Sequence, residues 1–146
     1  DGDDRPVSDA MLEVWQANAG GRYRHPADVR DVPLDESFVG FGRSGTDAGG
    51  RFAFETIKPG PVPGPGGRWQ APHLNVLVFA RGLLDRLATR IYFDDDASLA
   101  ADPFLLSLPE GRRSTLVARR DAGSSPATYR HDVVLQGGAE TVFFDA

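Results

Sequence analysis

Apolar and polar residues alternate along this chain in short bursts, each closed by a turn signal. The first burst, AMLEVWQAN from residue 10, reads as a strand with one buried face, and it runs into a Gly-rich loop, NAGGRYRH. Residues 26–39 are polar and irregular and read as loop. In TDAGGRFAFETI, Asp47 to Gly50 supply a turn, after which Phe52, Phe54 and Thr56 share one face of a predicted strand. KPGPVPGPGGRW is too dense in Pro and Gly for a helix or a central strand and is expected to be a loop. HLNVLVFAR follows as a strand. Leu74, Val76, Val78 and Ala80 form one face, and His73, Asn75, Leu77, Phe79 and Arg81 the other. Apolar residues on both faces beyond Asn75 predict a central strand.

After the turn GLLD, RLATRIYFDDD alternates Leu87, Thr89, Ile91 and Phe93 against Arg86, Ala88, Arg90 and Tyr92. ASLAADPFLLSLPEG is the single helix-like segment, broken at Pro103. STLVARRD, ATYRHDVVLQG and ETVFFDA read as three closing strands, the second with Tyr129, His131, Val133 and Leu135 on one face. About seven short strands at turn-bounded spacing predict an all-β fold, a β-sandwich with long loops and one short helical segment.

Composition sharpens this picture. The length of 146 residues suits one core, so a single domain over 1–146 is expected. No apolar run approaches the roughly 18 residues of a membrane helix. The opening DGDDRPVSDA has no initiator Met and no basic-then-apolar leader; it reads as a turn between strands, and a fragment or processed chain is expected. The absence of cysteine excludes disulfides, thiolate metal sites and a cysteine nucleophile, and agrees with the expected cytoplasmic location. At a net charge of −5, with arginines scattered apart from Arg112–Arg113 and Arg119–Arg120, no basic stripe exists for nucleic acid.

Candidate chemistry is sparse, because the chain holds three His and three Tyr. His25 beside Arg24 reads as an exposed loop residue, and His131 between Arg130 and Asp132 as a structural one. Asp94, Asp95 and Asp96 read as a solvated turn, because successive carboxylates do not converge by themselves. No strand–GxGxxG–helix loop is present. His73 and Asn75 are the exception. They sit two apart on one strand face, where His-x-His would make a metal-ligand pair. Three readings stay open on spacing alone: a disguised metal site, a lost one, or two polar residues on a wet face.

Four stretches, LEVWQANAGGRYRHPAD, GRSGTDAGGRFAFETIKPG, HLNVLVFARGLLDRLATRIYFDDD and YRHDVVLQGGAETVFFDA, closely resemble the intradiol ring-cleaving dioxygenases. The resemblance runs from Asp1 to Ala146 and implies a β-sandwich. It also implies cleavage of a catechol with O2. In the catalytic chains of that family a non-haem Fe(III) is held by two Tyr and two His, a hard cation met by anionic oxygen and imidazole. Carried over by position, the first Tyr falls on Tyr23. The second falls in Gly60-Pro61-Val62-Pro63, so Val62 replaces it. The His pair falls on His73 and Asn75, so one His is lost, and an Arg that faces substrate falls on Gln70.

The resemblance therefore implies an α-type chain with no catalytic residue and no iron of its own. Its Fe(III) would be held by a homologous β-type catalytic partner within a larger hetero-oligomer, acting on protocatechuate and O2 in aromatic degradation. It further implies that Arg81, in FARG, reaches the partner's substrate site, where a guanidinium can grip a carboxylate bidentately. The family's α-type chains carry an N-terminal segment upstream of the turn with which this sequence begins, and that segment is expected to be missing here. Two alternatives stand beside this reading. One is a self-sufficient dioxygenase whose altered iron ligands include His25 or Asp28. The other is a β-sandwich interaction module without enzymology.

Overall fold

The computed structural model describes residues 1–145. Eight strands are present among the described residues: β1 (Met11–Trp15), β2 (Phe41–Gly45), β3 (Val62–Pro63), β4 (Trp69–Gln70), β5 (His73–Phe79), β6 (Leu87–Phe93), β7 (Val117–Arg120) and β8 (Tyr129–Arg130). Six of them form one sheet in the order β2-β1-β5-β6-β7-β8, and β3 pairs with β4 in a small separate hairpin. All ladders are antiparallel except β6–β7, which is parallel. A parallel pair needs a long crossover. It is supplied by short helical turns at Ala97–Ala101, α1 (Pro103–Ser107), α2 (Glu110–Arg113) and Ser114–Leu116. Pro103 does divide this stretch. It stands at the first position of α1, where its missing N–H costs nothing, and Asp102 caps the helix through Leu105 N.

The alternation in β1, β5 and β6 is realised in burial. Leu12, Val14, Leu74, Val76, Val78, Ile91 and Phe93 form the main core on one sheet face, with Ala118 of β7. The second layer of the sandwich is extended chain. Phe52, Phe54, Val133 and Leu135 close over that core, as period-two patterning predicts, but residues 51–61 and 131–135 form no ladder. Side chains anchor them instead: Ala53 N donates to Ser44 Oγ (3.2 Å) and Thr56 Oγ1 to Gln16 Oε1 (2.6 Å). The strand in this region is instead β2, just before the turn at Asp47 to Gly50. Its FGRSG sequence has little β-propensity; it forms by pairing along β1 from Met11↔Gly45 to Trp15↔Phe41. The predicted closing strand ETVFFDA is reduced to a bridge between Ala88 and Phe144, and its last residue lies outside the described ones.

The opposite sheet face carries a second core of Ala71, Tyr92, Leu105 and Leu116 beneath the helical turns. Where that core stops, the register brings polar residues into line. Trp15 lies opposite Asn75, Asn75 opposite Arg90, and His73 opposite Tyr92. Directly opposed residues share a face, so the strands themselves lay out the floor of a cleft.

Candidate functional site

The cleft has a volume of about 630 Å³. Strands β1, β5 and β6 give it Trp15, His73, Asn75 and Arg90. The loop after β1 gives Tyr23, His25, Asp28 and Arg30, and the β3–β4 hairpin gives Val62 and Gln70. Tyr23, Val62, Gln70, His73 and Asn75, five positions spread over 53 residues of sequence counted from Tyr23 to Asn75, thus line one cavity. Arg81 does not join them. It lies past the far end of β5, about 20 Å along the chain from Asn75 at ~3.3 Å per residue, with its side chain 86% exposed and paired to Asp9 at 2.8 Å.

The loop that carries Tyr23 is built around two side chains. Asn18 Oδ1 accepts from Gly20 N and Arg22 N, both at 3.0 Å, and its Nδ2 donates to the Pro33 carbonyl at 3.0 Å. Asp28 accepts from Tyr23 N (2.9 Å) and from Arg30 Nε (2.9 Å) and Nη2 (2.6 Å). The Arg30 guanidinium holds the Asp28 carboxyl down to about 2. Gly21, at φ +85°, lies so close to the Val62 hairpin that a Cβ there would fall 2.1 Å from the Pro61 carbonyl oxygen. Asp28 and His25 are therefore engaged within their own loop; His25 Nδ1 accepts from Ala27 N (3.1 Å) and its ring tilts against Trp15 at 5.8 Å.

On the floor, Asn75 Nδ2 donates to the Tyr23 hydroxyl oxygen (2.9 Å) and to the Trp15 carbonyl (3.2 Å). Burial raises the Tyr23 pKa, so the side chain is a neutral phenol. His73 is 3% exposed, and its Nδ1 donates to the Ala71 carbonyl at 2.8 Å, which leaves Nε2 as the lone pair. Burial, aided by the charge of Arg90, pushes its pKa down to about 4.

A ferric ion asks for anionic oxygen and imidazole donors together. Val62 offers hydrocarbon, and Asn75 turns its amide nitrogen, a donor rather than a ligand, toward Tyr23. Tyr23 and His73 are what remains, and that pair does not fit the ion. Among the described residues, no group of three or more His, Cys, Asp or Glu could hold a metal.

Arg90 is a cleft residue that reading the sequence did not single out. Its Nη1 donates to Gln70 Oε1 (2.8 Å) and to the Tyr92 hydroxyl (3.1 Å), and its guanidinium lies 4.5 Å above the Phe104 ring. The alternation placed Arg90 on a face with Ala88 and Tyr92. Only the register opposite Asn75 shows that this face is the cleft floor.

The His73 environment gives a pH dependence with a definite sign. Between pH 6.5 and about 4 the unfolded chain takes up a proton that the folded chain refuses, so stability is lost as the pH falls through that window. The expected loss is about 3 kcal/mol by pH 4. Urea unfolding across that range should show it, and His73→Phe should remove this part of the slope while leaving the part from His131, whose pKa is also lowered by burial. An unchanged slope in His73→Phe would refute the assignment.

The dioxygenase family model Dioxygenase_C matches residues 1–137. The chain is 51% identical to the protocatechuate 3,4-dioxygenase alpha chain of Burkholderia cepacia over 99% of this chain and 72% of that one. It is 41% identical to the beta chain from the same organism, over 91% of this chain and 59% of that relative. The solved 3-chlorocatechol 1,2-dioxygenase of Rhodococcus opacus 1CP shares the fold with a TM-score of 0.61 at 23% identity, over 87% of this chain and 52% of that enzyme.

Proposed function

This chain belongs to the dioxygenase family of that model, and from that premise we propose that it is the α-type subunit of a protocatechuate 3,4-dioxygenase. In this reading all of 1–146 is one domain, and the enzyme is a hetero-oligomer with a β-type chain. It opens the ring of protocatechuate between its two hydroxyl-bearing carbons, and both atoms of O2 enter the diacid product. The observation that carries the reading is the composition of the cleft. The positions that the resemblance assigns to the family's iron ligands line one cleft, two of them are Val62 and Asn75, and Asn75 is held on the Tyr23 oxygen at 2.9 Å.

The iron is accordingly placed on the β-type partner. This chain's own contributions are to hold its sandwich against that partner and to present Arg81. Supporting that role, the Arg81 side chain stands almost wholly in solvent, tethered by one exposed carboxylate. Such a surface pair is worth little, so Arg81 is free to exchange Asp9 for a substrate carboxylate. No helix among the described residues is long and apolar enough to cross a membrane; the reading places the enzyme in the cytoplasm.

The test is to purify the chain alone and with a β-type partner, and to measure iron content, tyrosinate-to-iron absorption and O2 uptake with protocatechuate. All three are expected only in the pair. Iron, colour and activity in the lone chain would overturn the proposal, and failure to associate would favour a plain interaction module. In the pair, Arg81→Ala should raise KM about tenfold through loss of a charge-assisted hydrogen bond. An unchanged KM would remove Arg81 from the site.

A further inference from the structure

The sheet face that carries the second core and then the cleft floor continues past Asn75, toward the far end of β5. Alternation along β1, β2 and β5 sets Met11, Trp15, Phe41, Leu77 and Phe79 on this part of it, in adjacent rows. Phe41 is 45% exposed and Trp15 38%, while Met11, Leu77 and Phe79 are half-buried. Large apolar side chains gathered in one patch, rather than scattered singly, mark a docking surface. Two positions beyond the last ladder pair, Met11↔Phe79, the same register sets Asp9 opposite Arg81, and their side chains meet at 2.8 Å. Arg81 therefore stands at the rim of this patch.

The patch also holds a cavity. Trp15, Phe41 and Leu77 line a second pocket of about 340 Å³, bounded on the β6 side by Ala88 and Phe144, which bridge to each other. Its walls are mostly hydrocarbon, and its volume admits one large apolar side chain. Side chains desolvated in pockets of this kind carry most of the energy of a protein–protein contact. The charges around the patch are already matched. Glu13 accepts from Arg43 Nε at 2.6 Å, and Asp9 pairs with Arg81. A partner that covers Glu13 and Arg43 thus avoids the heavier cost of burying an unpaired charge.

We propose that the β-type partner docks on this end of the sheet face, with a large apolar side chain of its own seated in the pocket between Trp15 and Phe144. The inference rests on the subunit reading, and within it on the place of Arg81. A guanidinium at the rim of the patch reaches a site on another chain when that chain covers the patch beside it. An apolar centre with ion pairs at its edge is also the layout of a specific interface. Phe41 on the edge strand β2 and Phe79 at the end of β5 mark the two sides of the contact.

Met11 is the chain's one methionine and lies in the patch, so its oxidation by hydrogen peroxide reports on the contact without any substitution. It is expected to be oxidised in the lone chain and at least about tenfold more slowly in the αβ pair, because oxidation follows exposure. Phe41→Asp should weaken association, measured by sedimentation, at least about thirtyfold. Leu106→Asp, at an exposed apolar position on α1, should leave it unchanged. An unchanged thermal midpoint of the lone Phe41→Asp chain verifies its fold, and Phe41→Ala, which adds no charge, should give a smaller loss in the same direction. Equal effects of Phe41→Asp and Leu106→Asp, or an unprotected Met11 in a pair that takes up O2 with protocatechuate, would overturn the surface and leave the subunit assignment standing. A lone chain that self-associates with Met11 protected would put a second copy on this face and overturn the proposal. Failure of any pair to form would sink the subunit assignment and this inference with it.

Discussion

Asp102→Ala is expected to lower the unfolding free energy by about 3–5 kcal/mol, the cost of leaving three buried donors without their acceptor. Asp102 is fully buried and accepts from Ala71 N (2.8 Å), Leu105 N (2.8 Å) and the Tyr92 hydroxyl (3.2 Å). Alanine would strand all three donors in the buried interior and would uncap α1. Ala71 lies between Gln70 and His73, so the same bond fixes the chain where β4 turns into β5. Denaturant unfolding at neutral pH measures the effect. Asp102→Asn keeps one acceptor but turns an amide donor toward a donor, so it should fall between wild type and alanine. A loss below about 1 kcal/mol in Asp102→Ala would show that water replaces the carboxylate, and would contradict the network.

The second large effect is expected at Gly21. Its φ of +85° is a left-handed conformation, which costs an L side chain about 1–2 kcal/mol. The greater obstacle is space. A Cβ would meet the Pro61 carbonyl oxygen at 2.1 Å; that oxygen is backbone and the Cβ position is set by the residue's own backbone, so neither can swing aside. Overpacking of this kind adds about 1–3 kcal/mol. Gly21→Ala should therefore cost roughly 2–5 kcal/mol, unless the loop lifts off the hairpin. Lifting would expose the Tyr23 phenol as well as break its hydrogen bond to Asn75, and the loss of burial would lower its raised pKa. Gly66→Ala is the control. Gly66 also has a positive φ, +66°, but nothing lies within 4 Å of its would-be Cβ. The difference between the two variants isolates the clash, and equal losses would show that the loops are not in contact.

The strands that define the main core were legible in the sequence from their period-two alternation. In β1, β5 and β6 the alternation of Leu12 and Val14, of Leu74, Val76 and Val78, and of Ile91 and Phe93 states which side is inward. Pairing was not legible, because it belongs to two segments at once. RFAFETI has the better strand pattern but no ladder, while FGRSG, with little propensity, becomes β2 because β1 offers it an open edge. The site divides in the same way. Family resemblance marked Tyr23, Val62, Gln70, His73 and Asn75, and the fold places them around one cleft. Arg90 escaped notice because an arginine on an alternating strand looks like surface until the register sets it opposite Asn75.

The three aspartates after β6 turn out to be fully employed. Asp94 accepts from Arg120 N, Asp95 from Arg120 Nη1 and the Tyr129 hydroxyl, and Asp96 pairs with Lys58 while capping the turn at Ala97–Ala101. Four stretches distant in sequence thus meet at one corner. Before they meet, three adjacent negative charges repel one another, and the corner gains its counterions only when residues 58 and 120 arrive. Such a corner is expected to assemble after the local hairpin of β5 and β6, because its loop-closure entropy is spent before any contact repays it. Its electrostatic pull on the incoming cations weakens as salt shortens the Debye length. Ionic strength therefore bears on how fast this chain completes its sandwich, separately from how stable the finished sandwich is.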